Sequence, residues 1–412
     1  IRPVSDGKTD SRINRFIGRH PRTLNAPEVS PPTHTETSPM SCEMTDYDET
    51  SGQIKGSNQL PNHVLTGVKL TSVLNRPTIV APSPLEPMSE EQIISYWNPS
   101  LPLVSILCPT YNHVAVIRDA LRGFAAQQSR FPFEILVRDD GSTDGTAQIL
   151  ESFERIYPNL VRCIMESRNR FHETRPIDAL LQHARGEFIA CCDGDDYWLD
   201  SRKVDKQAKT LSESPTAALS FHDEVVVREG SVISYNKLSY SSRRDYSPKE
   251  LQKGRILPLS SIMFRRPDGF PHPIRRRMTG GAHSALIAEL GLYGGAKYDK
   301  AVIPGVYRLH DGGLWSAQDH PTRAINHALA RFYTAQIFLD AGMPEMASHH
   351  LKQATRAVST GYISSGIRPA SPYTIGTGLI LNQARFSLPF KRLLTRIDSI
   401  ARRFFRRSLF GC

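Results

Sequence analysis

The chain divides into stretches of different hydrophobic period. Between Leu103 and Cys192, short apolar runs alternate with segments whose apolar residues recur every three to four positions. Val104–Cys108, Phe133–Val137, Leu160–Met165 and Glu187–Cys192 have the length and character of buried strands. Val116–Gln127 puts Val116, Ile117, Ala120, Leu121 and Phe124 on one helical face. Ala147–Ile156, Pro176–Ala184 and Arg202–Ser212 predict three further helices. This alternation predicts an α/β fold with a mostly parallel sheet, helices covering both faces. Beyond it, Ala217–Val227 contains more strand, and 228–254 reads as an exposed insertion or flexible loop. Ile256–Phe264 and Ala301–Leu309 have strand character, and Ser284–Leu290 is helical.

The flanks differ. Residues 1–98 are rich in Ser, Thr, Pro, Asn and Asp without a sustained apolar period, and predict disorder, with one short helix near Ser89–Trp97 leading into a domain over 99–320. The N-terminus is polar and opens on Ile, so the expectation is a fragment or over-extended reading frame without a signal peptide. Thr322–Leu339 and Pro344–Val358 predict an antiparallel helix pair within a C-terminal helical region, 321–412. From Pro389 the tail reads as a basic amphipathic helix, with Leu393, Leu394, Ile397, Ile400, Phe404 and Phe405 on its apolar stripe.

The net charge of +10 over 412 residues admits nucleic acid, an anionic membrane or a phosphorylated substrate as partner. Much of the positive charge lies in the tail, outside the sheet, and no nucleic-acid reader motif occurs, so no nucleic-acid partner is expected. The tail fits an anionic membrane surface. No run approaches the ~18 apolar residues of a transmembrane helix. The six cysteines show no paired spacing, which predicts a reducing, cytoplasmic setting, peripheral on the inner face of the plasma membrane through the tail.

Polar clusters close the successive strands. Pro109-Thr110-Tyr111-Asn112 follows the first, Asp139-Asp140-Gly141-Ser142-Thr143-Asp144 the second, and Asp193-Gly194-Asp195-Asp196 the fourth. Three carboxylates within four residues repel one another and call for a counter-charge, which a hard divalent cation supplies. Open α/β sheets bind ligands beyond the carboxyl ends of their strands.

In order and spacing these clusters resemble the family 2 glycosyltransferases of the GT-A fold, over roughly residues 103–318. Val306-Tyr307-Arg308-Leu309-His310 with Gly313-Leu314-Trp315-Ser316 is similar to a later signature of bacterial members. The resemblance implies transfer of a sugar from a nucleotide-sugar, a UDP-sugar first, to a polysaccharide, lipopolysaccharide or lipid-linked acceptor, with inversion and with Mg²⁺ or Mn²⁺. It implies a donor site of Pro109, Thr110, Tyr111, Asn112, Asp139, Asp140, Ser142, Arg168, Asn169, Asp193 and Gly194. Asp195, Asp196 and His310 would hold the metal. Trp198 and Trp315 are candidates for stacking on a sugar, or for core packing.

The resemblance breaks at one place. Inverting members use a carboxylate as the base that activates the acceptor hydroxyl, from a segment before a helix. Here that segment reads Thr279-Gly280-Gly281-Ala282-His283-Ser284, with Ala282 where the acid is expected. Either His283 or Asp299 takes the role, or the chain binds the donor without efficient transfer. A basic nucleic-acid-binding protein is the remaining alternative.

Overall fold

The computed structural model describes residues 46–48, 53–55, 79–170, 173–278, 282–310 and 320–364. Two short strands, β1 (Asp46–Asp48) and β2 (Gln53–Lys55), pair antiparallel. The helix α1 (Glu90–Ser95) is closed by a capping box in which the Ser89 hydroxyl accepts from the Gln92 amide. Ile93 is fully buried, and Glu90 accepts from the amides of Asn159 and Leu160. Residues 79–98 therefore pack on the domain, which corrects the expectation of disorder for that part.

The elements β3 (Val104–Thr110), α2 (Ile117–Ala125), β4 (Phe133–Asp139), α3 (Thr146–Ile156), β5 (Val161–Met165), α4 (Pro176–Leu181), β6 (Phe188–Cys191) and α5 (Lys203–Glu213) follow the alternation read from the hydrophobic pattern. Next come β7 (Ala217–Phe221), β8 (Glu224–Arg228), β9 (Ser231–Ser234), α6 (Pro248–Gln252), β10 (Met263–Arg265), α7 (Ala282–Leu290), β11 (Gly295–Tyr298) and β12 (Gly305–Leu309). Two long helices, α8 (His320–Asp340) and α9 (Pro344–Ser364), end the described chain.

The main sheet has seven strands in the order β11-β7-β10-β6-β3-β4-β5. Every pairing is parallel except those of β10, which runs antiparallel to both neighbours. The carboxyl ends of the other six strands therefore share one edge. Central strands covered on both faces need apolar residues at nearly every position, which is why β3 and β4 carry Ile106, Leu107, Cys108, Ile135, Leu136 and Val137 without alternation. One face packs against α2, α3 and α5 through Phe124, Leu150 and Leu211; the other packs against α4, α6 and α7 through Leu180, Leu251 and Leu286. Trp198 is 1% exposed, packs edge-on to Phe124 at 4.9 Å, and donates Nε1–H to Ser260 O at 2.8 Å. Of the two readings of Trp198 the structure has core packing and not sugar stacking; Trp315 lies outside the described residues.

The stretch 228–254 is not an exposed loop. It supplies β9 and α6 and sends Leu238, Tyr246 and Leu251 into the core. Its polar surface hides three apolar anchors spaced too irregularly to show a period. The expected strand Ile256–Phe264 shrinks to three residues, because a 3-10 turn at Leu259–Ser261 precedes it. A second, three-stranded sheet, β12-β8-β9, lies beside the first. The basic tail from Pro389 and Gly313–Ser316 lie outside the described residues.

Candidate active site

The site begins where β3 ends. Gly194 N–H donates to Pro109 O at 2.9 Å, so the loop after β6 is fastened to the end of β3. A Cβ at Gly194 would stand 2.8 Å from Thr110 Cβ and Oγ1 and 2.9 Å from Ile117 Cδ1, so only glycine permits this approach. The β4 loop is tied in as well. Asn112, at a φ of 54°, accepts from Thr143 N–H at 2.8 Å through Oδ1, while its own N–H donates to Ser142 Oγ at 2.8 Å. Ser142 in turn donates its amide and hydroxyl to Asp139. Asp140 accepts from the Arg138 guanidinium at 2.8 Å, and its amide donates to Thr110 O. Gly141, at a φ of 78°, lies against the backbone of Arg168 and Asn169, leaving no room for a side chain. The structure thus brings Pro109, Thr110, Tyr111, Asn112, Asp139, Asp140, Ser142, Arg168, Asn169, Asp193 and Gly194 to one edge of the sheet. Tyr111 is exposed there, and Arg168 pairs with Glu173 in solvent.

The acidic loop is held from the other side by β12. Tyr197 and Val306 exchange backbone hydrogen bonds at 3.2 and 2.8 Å. Arg308 donates its amide to Asp196 Oδ1 at 2.9 Å and its guanidinium to Asp195 O at 2.8 Å, and pairs with Asp119. Asp196 also accepts from Ser260 Oγ at 2.7 Å. Both its carboxylate oxygens thus bind protein groups, although it stands with Asp193 and Asp195 in one group of potential ligands. His310, just past β12, places Nε2 2.9 Å from Asp195 Oδ2. His113 approaches from β3, with Nε2 3.9 Å from the same oxygen. His113, Asp195 and His310 form a second group whose ligand atoms lie within 4.8 Å of one another.

Electrostatics separates these carboxyls. Burial, then the charge of Asp195, pushes Asp193 up to about 7, and Asp196 is pushed well up by burial and by Asp195. Burial works against ionisation of Asp195 too, but the hydrogen bond from His310 and the charge of His113 outweigh it and hold its carboxyl below the usual range. The donor set, one low carboxylate flanked by two imidazoles with further carboxylates behind, fits a divalent cation.

The two candidate bases fare differently. Asp299 follows β11, three strands from β6, or about 14 Å at ordinary strand spacing. Its carboxylate accepts from Thr210 Oγ1 at 2.8 Å and from the Ala301 amide. The structure keeps it away from the acidic loop, which corrects its assignment. His283 sits in the first turn of α7 with Nε2 buried and without a hydrogen-bond partner among the described residues. Burial, with Lys237 and Arg275 nearby, pushes it down to about 3, so the ring is neutral. Lys237 also acts on Asp193, which puts one cation within electrostatic reach of both. Thr279–Gly281 lie outside the described residues. Two functional candidates escaped the sequence reading. His113 directly follows the Pro109–Asn112 cluster, a signal that was available; Lys237 lies in a stretch without any motif.

Residues 105–267 match the sequence model of glycosyl transferase family 2. This part of the chain is a family 2 glycosyltransferase domain. The order of the parallel strands and the helices on both faces are those of an α/β, GT-A-type fold. An uncharacterized protein of Mycobacterium tuberculosis is 37% identical to the chain over 215 residues, which are 52% of this chain and 60% of that protein. The poly(ribitol-phosphate) beta-N-acetylglucosaminyltransferase TarS of Staphylococcus aureus is 40% identical over 96 residues, 23% of this chain and 16% of that one. The chain thus spans at most 60% of the length of these relatives. The structure of a TarS fragment in complex with UDP superposes with a TM-score of 0.47 at 18% identity, covering 64% of this chain and 75% of that one. The glycosyltransferase domain contains the three strand-end clusters; His283, Arg308 and His310 lie downstream of the matched segment.

Proposed function

We propose that the glycosyltransferase domain moves a sugar from a nucleotide-diphosphate sugar to a hydroxyl of a glycan or lipid-linked acceptor, inverting the anomeric carbon. The observation that carries this reading is the gathering of three strand-end clusters along one sheet edge in a chain of this family. The β3 and β4 loops, through the main chain of Thr110 and Tyr111 and through Asp139 and Asp140, form the cradle for the base. Asp193 faces the ribose, and Arg168 and Asn169 lie where phosphate would pass. His113, Asp195 and His310 would hold a divalent cation, with Asp196 fixing the loop through Ser260 and Arg308. Such a cation, when bound, supplies Lewis-acid stabilisation of the departing diphosphate.

His283 is the candidate to receive the acceptor's hydroxyl proton, and burial near two cations, which holds it at about 3, makes it a weak base until acceptor and donor are bound. The acceptor oxygen then bonds to the anomeric carbon as the carbon–oxygen bond to the diphosphate breaks, and the nucleoside diphosphate leaves with that electron pair. TarS, by its name, acts on poly(ribitol phosphate), which supports a cell-envelope polymer as the acceptor class. No described helix is long and apolar enough to cross a membrane. The basic sequence of the tail supports a peripheral place on an anionic cytoplasmic membrane face.

Release of nucleoside diphosphate from a panel of UDP- and GDP-sugars, with bacterial envelope polymers as acceptors, tests the reading. One donor class should be consumed with transfer to polymer, and His283→Ala should lower kcat by about 10²–10⁴ with donor affinity unchanged. Donor binding without transfer would leave a binding protein.

A further inference from the structure

The surface around the last turn of α6 carries cations that the donor site does not use. That turn is closed from α8 and α9. Arg331 donates to Lys253 O at 2.7 Å and to Gly254 O at 3.3 Å, and His350 Nε2 stands 2.7 Å from Gln252 O. At Gly254, with a φ of 77°, the Arg331 guanidinium fills the space a Cβ would need. The carbonyls that make a helix end negative are thus already answered from within the protein. Outside them stand Arg244, Lys249, Lys253 and Arg255, all exposed. One carboxylate, Glu250, serves two of the four, Arg244 at 2.6 Å and Arg255 at 3.8 Å. Asp245 is taken by Lys297 at 2.7 Å. Among the described residues no ion pair engages Lys249 or Lys253. Exposed Arg356 of α9 joins the same surface. Burial, then the charges of Arg331, Lys253 and Arg356, hold the His349 imidazole below its ordinary value, so three cations surround one ring.

Two of these cations are fixed in place. Arg244 and Arg255 lie with Cζ 4.5 and 5.2 Å from the centroid of the Tyr246 ring. That ring is itself held, stacked on Phe221 at 5.8 Å with its hydroxyl donating to Ser242 O at 2.9 Å. Guanidinium groups braced on an aromatic ring and a shared carboxylate keep their donors oriented, which suits discrete phosphate or carboxylate groups. The surface is also tethered to the candidate active site. From Lys253 the chain runs through buried Leu257 to Ser260, whose hydroxyl donates to Asp196 at 2.7 Å. Seven residues reach at most about 25 Å.

We propose that this surface is a second binding site, for an acceptor polymer whose repeats carry phosphate or carboxylate groups, gripped here while one of its hydroxyls lies at the donor edge. The inference rests on the reading of the acceptor as an envelope polymer, and it gives that polymer a charge. A membrane would ask only for net positive charge; two arginines braced on one ring favour separate anionic groups spaced along a chain.

Calorimetric titration of the full chain with an oligo(glycerol phosphate) long enough to span that distance, with dextran as the uncharged control, tests it. The oligomer should bind, dextran should not, and the affinity should fall by about tenfold or more between about 50 and 200 mM salt. The triple variant Lys253→Glu, Arg255→Glu, Arg356→Glu should lose at least about tenfold in oligomer affinity, with binding of UDP and GDP in the presence of Mn²⁺ as in the unaltered protein. If that variant does not fold, Lys253→Gln with Arg356→Gln should show the same loss in smaller measure. Equal binding of dextran, or full oligomer affinity in the variants, would overturn the inference and leave the donor-site reading standing. Oligomer binding in a chain that binds neither nucleotide would uphold the surface and sink the donor site. Binding of phosphatidylglycerol vesicles that is lost in the triple variant while oligomer binding survives would overturn the inference in favour of a membrane, and tighter binding of duplex DNA than of the oligomer would overturn it in favour of nucleic acid.

Discussion

Gly194 shows how much of the site depends on single atoms. It is the one position in the acidic loop without a side chain, and the space a Cβ would need is filled by Thr110 and Ile117. Gly194→Ala must push Thr110 aside, and with it the hydroxyl that orients His113. The expected cost is about 1–3 kcal/mol of stability, read by urea denaturation, together with weakened Mn²⁺ binding. Unchanged stability and unchanged metal binding would refute this close-packed account. At this scale the sequence was informative where chemistry is local. The Asp193–Asp196 cluster and His310 were legible from residue type and order. Asp299 was not, because its distance from the loop is set by the two strands, β7 and β10, that lie between β11 and β6. Trp198 was ambiguous because an indole serves a core and a sugar face equally well, and only its neighbours decide.

Among the elements, β12 has the most to do with function. It is far from the acidic loop in sequence, yet it pairs with Tyr197, supplies Arg308 to Asp195, Asp196 and Asp119, and delivers His310. Its pairing with β8 is parallel, and its backbone pairing with the loop is an isolated bridge at Val306. Val306→Pro removes the N–H that donates to Tyr197 O at 2.8 Å. The predicted outcome is faster hydrogen exchange at Asp195–Trp198 and a loss of nucleotide affinity, with the exchange protection of β3 and β4 retained. Uniform loss of protection would show instead that β12 is part of the global core. The strands of the parallel sheet were legible because burial on both faces writes an uninterrupted apolar run. β10 and β11 were harder to read, being three and four residues long and defined by their partners rather than by a pattern of their own.

Across the whole molecule, α8 and α9 are joined to the sheet domain through buried polar contacts as well as apolar ones. His350 is fully buried, stacks on Phe338 at 5.2 Å, and has Nε2 2.7 Å from Gln252 O at the end of α6. Arg331 donates to Nδ1 at 3.2 Å. Burial, with the Arg331 charge beside it, pushes the imidazole down to about 3. Between that value and its ordinary value near 6.5 the unfolded chain binds a proton that the folded chain refuses. Stability from this group is complete above about pH 6.5 and drains away as pH falls toward 3, at up to about 1.4 kcal/mol per unit. His350→Gln should flatten the slope of unfolding free energy between pH 6.5 and 4.5; an unchanged slope would contradict the burial argument. The α/β architecture was legible at this scale because alternation of periods dictates it. The helix pair was legible in outline, but its attachment through His350 was not, since a histidine in an amphipathic helix carries no mark of what it will meet.

The account turns on one claim, that the carboxyl edge of the sheet binds a nucleoside diphosphate with a metal. Calorimetric titration of the chain with UDP and with GDP, with and without Mn²⁺, against Asp195→Asn tests it most directly. The predicted result is binding of one nucleotide that requires Mn²⁺ and is lost in the variant. Full binding without metal, or no binding of either nucleotide, would contradict it.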